Sequence, residues 1–435
     1  MTILKDKLFP FQRELYDREV DNDSHALFLE VGSGKTHLSL ALAESKGYKK
    51  LLIVCLVAKR EEWKRDTKSL LGRDLTILDK GTKKNLDLMD DHVDGLIINF
   101  ESVWRLGDKL LDLVDDKWII IVDESHMIKN RKAKVTKFMY QLGRKTPYKM
   151  ALTGTPQSQG YIDYYSQMIF LGKWKMGVGE FERRYCVMGR MYLGKSYIQV
   201  IKDYKNKDEL DDMINQDSVF YRRTLADDMI PQDNYVKVKT HITYNRFKKD
   251  KVLETKDDIY LGDTIGAYRM GLRQLSSGFM RDYRAPQQHK VQWVDDFFKT
   301  YDGRVVIFYN FNHERDMLIE LCEKHKRPHS EYSGRLKDLT KFKHEDDGVA
   351  ICNYASASTG INDLVLSEIA IFYSPVEDVI QFQQSRGRLN RIGQQRKPLF
   401  YYLEAENTVE SAIYKSLKEG KDFDDKLFQL YLDNE

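Results

Sequence analysis

The sequence predicts an α/β protein built from two parallel-sheet lobes with a mainly helical region between them. Three observations predict it. Short apolar runs alternate with amphipathic stretches through the first third of the chain. The alternation breaks between Tyr161 and about Tyr260, and it resumes at Arg304. A βαβα order buries both faces of its sheet, so its strands read as continuous apolar runs. A length of 435 residues exceeds one ordinary core and suits two or three such units.

In the first lobe, strands are expected at Ala26–Leu29, Leu51–Val57, Gly95–Asn99, Trp118–Val122 and Lys149–Leu152. Apolar residues at helical spacing, such as Leu38, Ala41 and Leu42, mark the segments between them. The stretch from Tyr161 is rich in Tyr, Lys and Asp, with three glycines between Gly172 and Gly179. It reads as mostly helical with one extended stretch, Tyr235–Ile242, where Val and Lys alternate. Strands return at Arg304–Tyr309, Gly348–Cys352, Glu368–Tyr373 and Leu399–Leu403, and an amphipathic helix is expected after Val409. The expected domains are therefore 1–160, 161–285 and 286–435.

Composition narrows the class. A hydrophobic share of 42% beside 31% charged residues excludes wholesale disorder, collagen and coiled-coil chains. The longest aliphatic stretch, Leu51–Ala58, is far short of the roughly 20 residues that cross a bilayer. The start of the chain lacks the apolar core of a signal peptide, so a cytoplasmic location is expected. Cys55, Cys186, Cys322 and Cys352 lie far apart, which argues against a zinc site or a disulfide framework. The net charge of +3 names no partner, but Lys129–Lys149 holds eight basic residues and no acidic one. Such a run is either a solvated helix face or a surface that meets phosphates.

Three short motifs carry chemistry. Glu30-Val-Gly-Ser-Gly-Lys-Thr36 lies between a strand and a helix, where successive backbone N–H groups and the helix N-terminus face anionic oxygens. Gly32 and Gly34, flanking Ser33, permit close backbone approach; Lys35 would hold the β- and γ-phosphates of ATP, and Thr36 would offer its hydroxyl to Mg²⁺. The strand Trp118–Val122 runs into Asp123-Glu-Ser-His126, two carboxylates at the strand end where open α/β sheets bind ligands. Asp123 would hold Mg²⁺ through water, and Glu124 would orient the attacking water. Leu152-Thr-Gly-Thr-Pro156 follows a third strand and could sense the γ-phosphate. Gln12, in Phe9-Pro-Phe-Gln-Arg, can donate and accept together and so suits adenine. Near the other end, Gln384-Ser-Arg-Gly-Arg-Leu-Asn-Arg-Ile-Gly-Gln394 places Arg388 and Arg391 three apart, on one face of an expected helix. They are candidate arginine fingers for the charge that develops during hydrolysis.

Taken in order, these motifs resemble those of the superfamily-two helicase motors, in particular the Swi/Snf-type, chromatin-remodeller-like branch. Ile128-Lys-Asn130, Phe220-Tyr-Arg-Arg-Thr224, Leu272-Arg-Gln274, Val305–Phe308 and Ser358-Thr-Gly-Ile-Asn362 are similar to that branch as well. The resemblance implies two RecA-like lobes with helical protrusions, ATP and Mg²⁺ as cofactors, and duplex DNA gripped without sequence preference. It assigns Gln12, Gly32–Thr36 and Gln384 to ATP; Lys35, Asp123, Glu124, Arg388 and Arg391 to catalysis; and His126, Thr153 and Thr155 to coupling. Lys59, Arg60, Asn99, Ser102, Asn310, Thr359 and Asn362 become candidate nucleic-acid contacts. Three functions stay open: a duplex translocase, a strand-separating helicase on DNA or RNA, and a nucleotide switch without turnover. A bare motor of this kind is expected of a bacterial or phage protein.

Overall fold

A computed structural model describes residues 4–89, 93–157, 160–192, 197–222, 229–255, 258–357, 361, 363–391 and 393–433. The chain divides into two compact units, Met1–Arg223 and Thr224–Glu435, so the division falls inside the segment read as 161–285.

The first unit is a seven-stranded sheet. Its strands are β1 (Ser24–Leu29), β2 (Lys50–Cys55), β3 (Thr76–Ile77), β4 (Gly95–Asn99), β5 (Trp118–Asp123), β6 (Lys149–Leu152) and, after a hairpin of β7 (Cys186–Tyr192) and β8 (Tyr197–Tyr204), β9 (Val219–Tyr221). Their order is β3-β4-β2-β5-β6-β1-β9, and every pairing in the sheet is parallel. Successive side chains of a strand point to opposite faces, and both faces here are apolar. Phe28, Val54, Ile98 and Val122 join one buried cluster, while Leu27, Ile53, Ile97 and Ile121 join another. Helices on each side cover them, which explains the unbroken apolar runs of the sequence.

The second unit repeats the plan. Two short hairpins, β11 and β12 (Val252–Glu254, Ile259–Leu261) and β13 and β14 (Phe279–Met280, Tyr283–Arg284), follow its edge strand β10 (Gln232–Val238). The remaining strands are β15 (Val305–Tyr309), β16 (His329–Tyr332), β17 (Val349–Asn353), β18 (Ile369–Phe372) and β19 (Leu399–Ala405). They form a parallel sheet ordered β10-β19-β18-β15-β17-β16. Val306, Phe308 and Phe372 face one core, and Val305, Ile307 and Ile371 the other.

Three sequence expectations change. The extended stretch assigned to Tyr235–Ile242 is β10, which begins earlier and pairs along its length with β19; the helix Ile242–Asp250 follows it. The β7–β8 ribbon was not expected, because Val187, Met188 and Tyr197 are exposed and leave no clean alternation of buried and solvated residues. The helix bearing Arg388 spans Val379–Leu389 and is capped at Asn390, so Arg391 lies beyond its end rather than on one helix face with Arg388. Among the described residues, no helix is long and apolar enough to cross a membrane. All four cysteines are free and buried.

Candidate active site

The loop between β1 and the helix Lys35–Ser45 is shaped by two left-handed glycines, Gly32 (φ 81°) and Gly34 (φ 73°). Only glycine enters that region without strain. A Cβ on Gly34 would also stand 2.5 Å from Gln12 Nε2. Gln12 is 1% exposed; its Nε2 donates to the carbonyls of Ser33 (2.8 Å) and Gly34 (3.1 Å), and its Oε1 accepts from Phe9 N (2.9 Å). The glutamine assigned to adenine thus braces the phosphate loop from beneath. Lys35 Nζ donates to the carbonyls of Leu29 (2.9 Å) and Glu30 (3.3 Å). Thr36 is half-buried in the first helical turn.

The carboxylates stand at the end of β5. Asp123 is 8% exposed; its Oδ2 accepts from Trp63 Nε1 (2.9 Å) and its Oδ1 from the Glu124 N–H (3.0 Å). Burial, then the neighbouring Glu124 charge, raise the Asp123 carboxyl above its ordinary range. Glu124 occupies the left-handed region (φ 55°), which breaks the strand direction immediately after Asp123. Burial alone would raise Glu124 too. The hydrogen bond and charge of His126, with the ammonium groups of Lys35 and Lys59, outweigh it and hold this carboxyl well below its usual range. Glu124 is therefore ionised near neutrality and can accept a hydrogen bond from water. The charges of Lys35 and Lys59 act on both carboxylates and favour their ionised forms.

A hydroxyl relay joins this pair to the loop after β6. His126 Nδ1 lies 3.1 Å from Thr153 Oγ1 and 3.3 Å from Glu124 Oε2. Thr153 Oγ1 also accepts from the Thr155 N–H (3.1 Å). Two residues that sequence reasoning missed hold the arrangement. Trp63, 2% exposed on the helix Arg60–Leu71, orients Asp123. Gln167, fully buried on the helix Ile162–Leu171, accepts from Ser125 Oγ (2.7 Å) and donates to the Pro156 carbonyl (2.8 Å), tying the two loops together. Trp63 sits on the buried face of an amphipathic helix, and Gln167 lies in a helix buried on nearly every side, so each carries the sequence signal of a core residue.

The residues present are of the kinds that a divalent cation and a polyphosphate require. The donor set is hard: carboxylate and hydroxyl oxygens beside an ammonium group and backbone N–H groups. Among the described residues, the buried Ser33 Oγ and Thr155 Oγ1 have no hydrogen-bond partner, so both can turn to an incoming oxygen.

In the second unit, Asp378 caps the helix Val379–Leu389 by accepting from Gln381 N (2.8 Å). Gln384 and Arg388, one turn apart, are both buried. Arg388 Nε donates to the Ala357 carbonyl (3.0 Å), and Nη1 of both Arg388 and Arg391 reaches the Ile361 carbonyl (3.3 and 3.4 Å). The two guanidinium groups converge although only one is helical. Arg386 acts elsewhere, pairing with Asp233 (3.0 Å) and anchoring β10 to the helix.

The candidate nucleic-acid contacts follow the carboxyl ends of strands. Lys59 and Arg60 follow β2, Asn99 ends β4 with Ser102 in the turn beyond, and Asn310 follows β15. Lys59 Nζ pairs with Glu62 (2.7 Å), Arg60 Nε donates to the Val57 carbonyl (3.3 Å), and Asn99 Nδ2 donates to Glu101 (2.5 Å). Asn310 Nδ2 donates to Ser374 and to the Pro375 carbonyl (3.0 Å), bracing that turn. Thr359 and Asn362 lie outside the described residues.

The SNF2-related domain matches residues 14–252, more than half of the chain. The chain belongs to the SNF2-related family. It is 25% identical over 438 residues to the SWI/SNF-related matrix-associated actin-dependent regulator of chromatin subfamily A-like protein 1 of Drosophila melanogaster, covering 95% of this chain and 55% of that protein. It is 25% identical over 448 residues to the DNA annealing helicase and endonuclease ZRANB3 of Mus musculus, covering 95% and 40%. The chain thus spans about half the length, or less, of these relatives. A solved structure of the Sulfolobus solfataricus SWI2/SNF2 ATPase core in complex with dsDNA overlaps 97% of this chain and 92% of its own, at 21% identity and a TM-score of 0.45.

Proposed function

We propose that this SNF2-related chain is a DNA-dependent ATPase that couples ATP hydrolysis to translocation on duplex DNA. The observation that carries the reading is that Glu124, at the end of β5, is joined through His126 to Thr153, with the Lys35 charge acting on both Asp123 and Glu124. Lys35 and the N–H groups of the loop Gly32–Gly34 bind the phosphates. Thr36 and Asp123 are the residues that would hold Mg²⁺, which when bound offsets phosphate charge. Glu124, ionised by its neighbours, accepts a hydrogen bond from the attacking water and orients it in line. Thr153 and His126 read the state of that carboxylate and pass it to the loop Thr153–Pro156. Arg388 and Arg391 serve the charge that develops in the transition state. Lys59, Arg60, Asn99, Ser102, Asn310, Thr359 and Asn362 are proposed to meet the duplex backbone, which makes binding sequence-tolerant and weaker in salt.

The chain's similarity to a chromatin regulator and to a DNA annealing helicase supports DNA as the substrate class. The test compares ATPase rates without nucleic acid and with duplex DNA, single-stranded DNA or RNA. Duplex DNA should stimulate most. Glu124→Gln should lower the stimulated rate by about 100-fold or more at unchanged nucleotide affinity, and Arg388→Ala should keep nucleotide binding while losing turnover. Normal hydrolysis by Glu124→Gln would overturn the assignment of the water-orienting carboxylate; displacement of a labelled strand would make the protein an unwinding helicase instead.

A further inference from the structure

The first unit contains a second cationic site, at the opposite end of its strands from the phosphate loop. Lys149 opens β6, whereas Thr153 follows its end; four residues of strand separate them by roughly 13 Å. Beside Lys149 lies a cavity of about 730 Å³, in the size range of small-molecule sites. Arg144, Lys145, Lys149 and Lys175 line it, and no acidic residue does. Arg144, Lys145 and Lys175 are exposed at its mouth. Among the described residues, none of these four makes an ion pair within 4.0 Å.

Lys149 is the informative member. Two lysines of the described residues are buried, and they differ in one respect. Lys290, 2% exposed, lies 2.6 Å from the Glu410 carboxylate. Lys149, 7% exposed, has only the Gly143 carbonyl at 2.9 Å. A buried ammonium without a counter-charge is costly, and burial accordingly lowers its pKa with no anion nearby to oppose the shift. Gly143 provides the carbonyl that Nζ donates to, and Gly172 leaves room for the ammonium, since a Cβ there would come within 3.2 Å of Nζ. The basic run of the sequence is thereby divided. Arg144, Lys145 and Lys149 belong to this cavity, while Arg131 is paired with Glu182 (2.5 Å).

We infer that this cavity binds a compact phosphate-bearing small molecule, with Lys149 at its floor, Arg144, Lys145 and Lys175 at its mouth, and Ile169 and Trp174 forming the apolar wall for the rest of the ligand. Four cations match a dianion better than a single carboxylate, and the arginine fork fits phosphate oxygens in a bidentate way. A duplex backbone would remain at the mouth, because only a compact anion can enter far enough to meet the buried ammonium.

The experiment uses the full chain carrying Lys35→Ala, which removes the phosphate loop from competition and separates this inference from the proposed ATPase reading. Pyrophosphate and phenyl phosphate are titrated calorimetrically. One equivalent of saturable binding is expected, weakened about ten-fold or more by Lys149→Met and several-fold by Lys145→Ala. Methionine preserves the volume of the buried stem, and Lys145→Ala is an exposed change that keeps the test valid if the buried variant unfolds. Absence of saturable binding below about 10 mM, or binding indifferent to both substitutions, overturns the inference. Binding of benzoate or of a short duplex in place of both phosphates overturns it too, by giving the cavity a different ligand class.

Discussion

At the scale of single residues, the loop after β1 and the acidic pair at the end of β5 carry information that is local in the sequence. Gly32, Gly34, Lys35, Asp123 and Glu124 lie in short runs whose chemistry depends on spacing alone. Trp63 was not legible, since its indole N–H meets Asp123 across sixty positions of sequence. Trp63→Phe keeps an aromatic ring, though a smaller one, and removes the donor. It should cost about 1.5–3 kcal/mol, because the bond is to a charged acceptor, and it should shift the magnesium dependence of nucleotide affinity. Denaturant unfolding and nucleotide titration across magnesium concentrations measure the two effects, and an unmoved unfolding midpoint would deny the hydrogen bond its role. Lys149 makes a pH prediction. Burial lowers its pKa from 10.5 to about 8. Below about pH 8 the lysine is protonated in folded and unfolded chain alike, and the full burial cost is present. Between about 8 and 10.5 the unfolded chain binds the proton and the folded chain does not, so stability rises with pH. Wild type minus Lys149→Met should show that rise in unfolding curves; a flat difference would mean the ammonium is solvated.

At the scale of elements, strands with both faces buried announced themselves and β10 was expected in part, whereas the edge strands β3, β9 and β16 and the β7–β8 ribbon were not. An edge strand and an isolated ribbon bury too little surface to impose a pattern on their side chains. The helix Ile162–Leu171 was expected as helix, but its part in the site was hidden inside an apolar sequence. Gln167 replaces a direct contact between the loops of Ser125 and Pro156 with a side-chain bridge. Gln167→Leu should leave the Ser125 hydroxyl and the Pro156 carbonyl without that partner, at a cost of about 1–3 kcal/mol. Turnover should fall more than nucleotide affinity, since the bridge touches neither phosphate nor base; equal losses in kcat and affinity would point to general unfolding. Arg391 teaches the converse. The spacing of the two arginines suggested a shared helix face, and the structure brings them together through the Ile361 carbonyl instead.

At the scale of the molecule, each unit has its own pair of apolar clusters on the two faces of its own sheet. Independent cores favour independent melting. Differential scanning calorimetry should resolve two transitions, and MgADP should raise the one belonging to Met1–Arg223, by about 2.7 kcal/mol of stabilisation at one hundred times its dissociation constant. A single transition shifted as a whole would show the two sheets to unfold together. The division near residue 223 was hard to read, because the residues around it are as polar as the helices on either side.

The four thiols have a practical corollary. Burial pushes Cys55, Cys186, Cys322 and Cys352 all above the ordinary thiol range, and the thiolate is the form that reacts. The native chain should therefore ignore maleimide dyes without any cysteine being replaced. One surface cysteine engineered into each unit would then accept a fluorophore pair on an otherwise silent background, and the energy transfer between them would report the nucleotide cycle in single molecules.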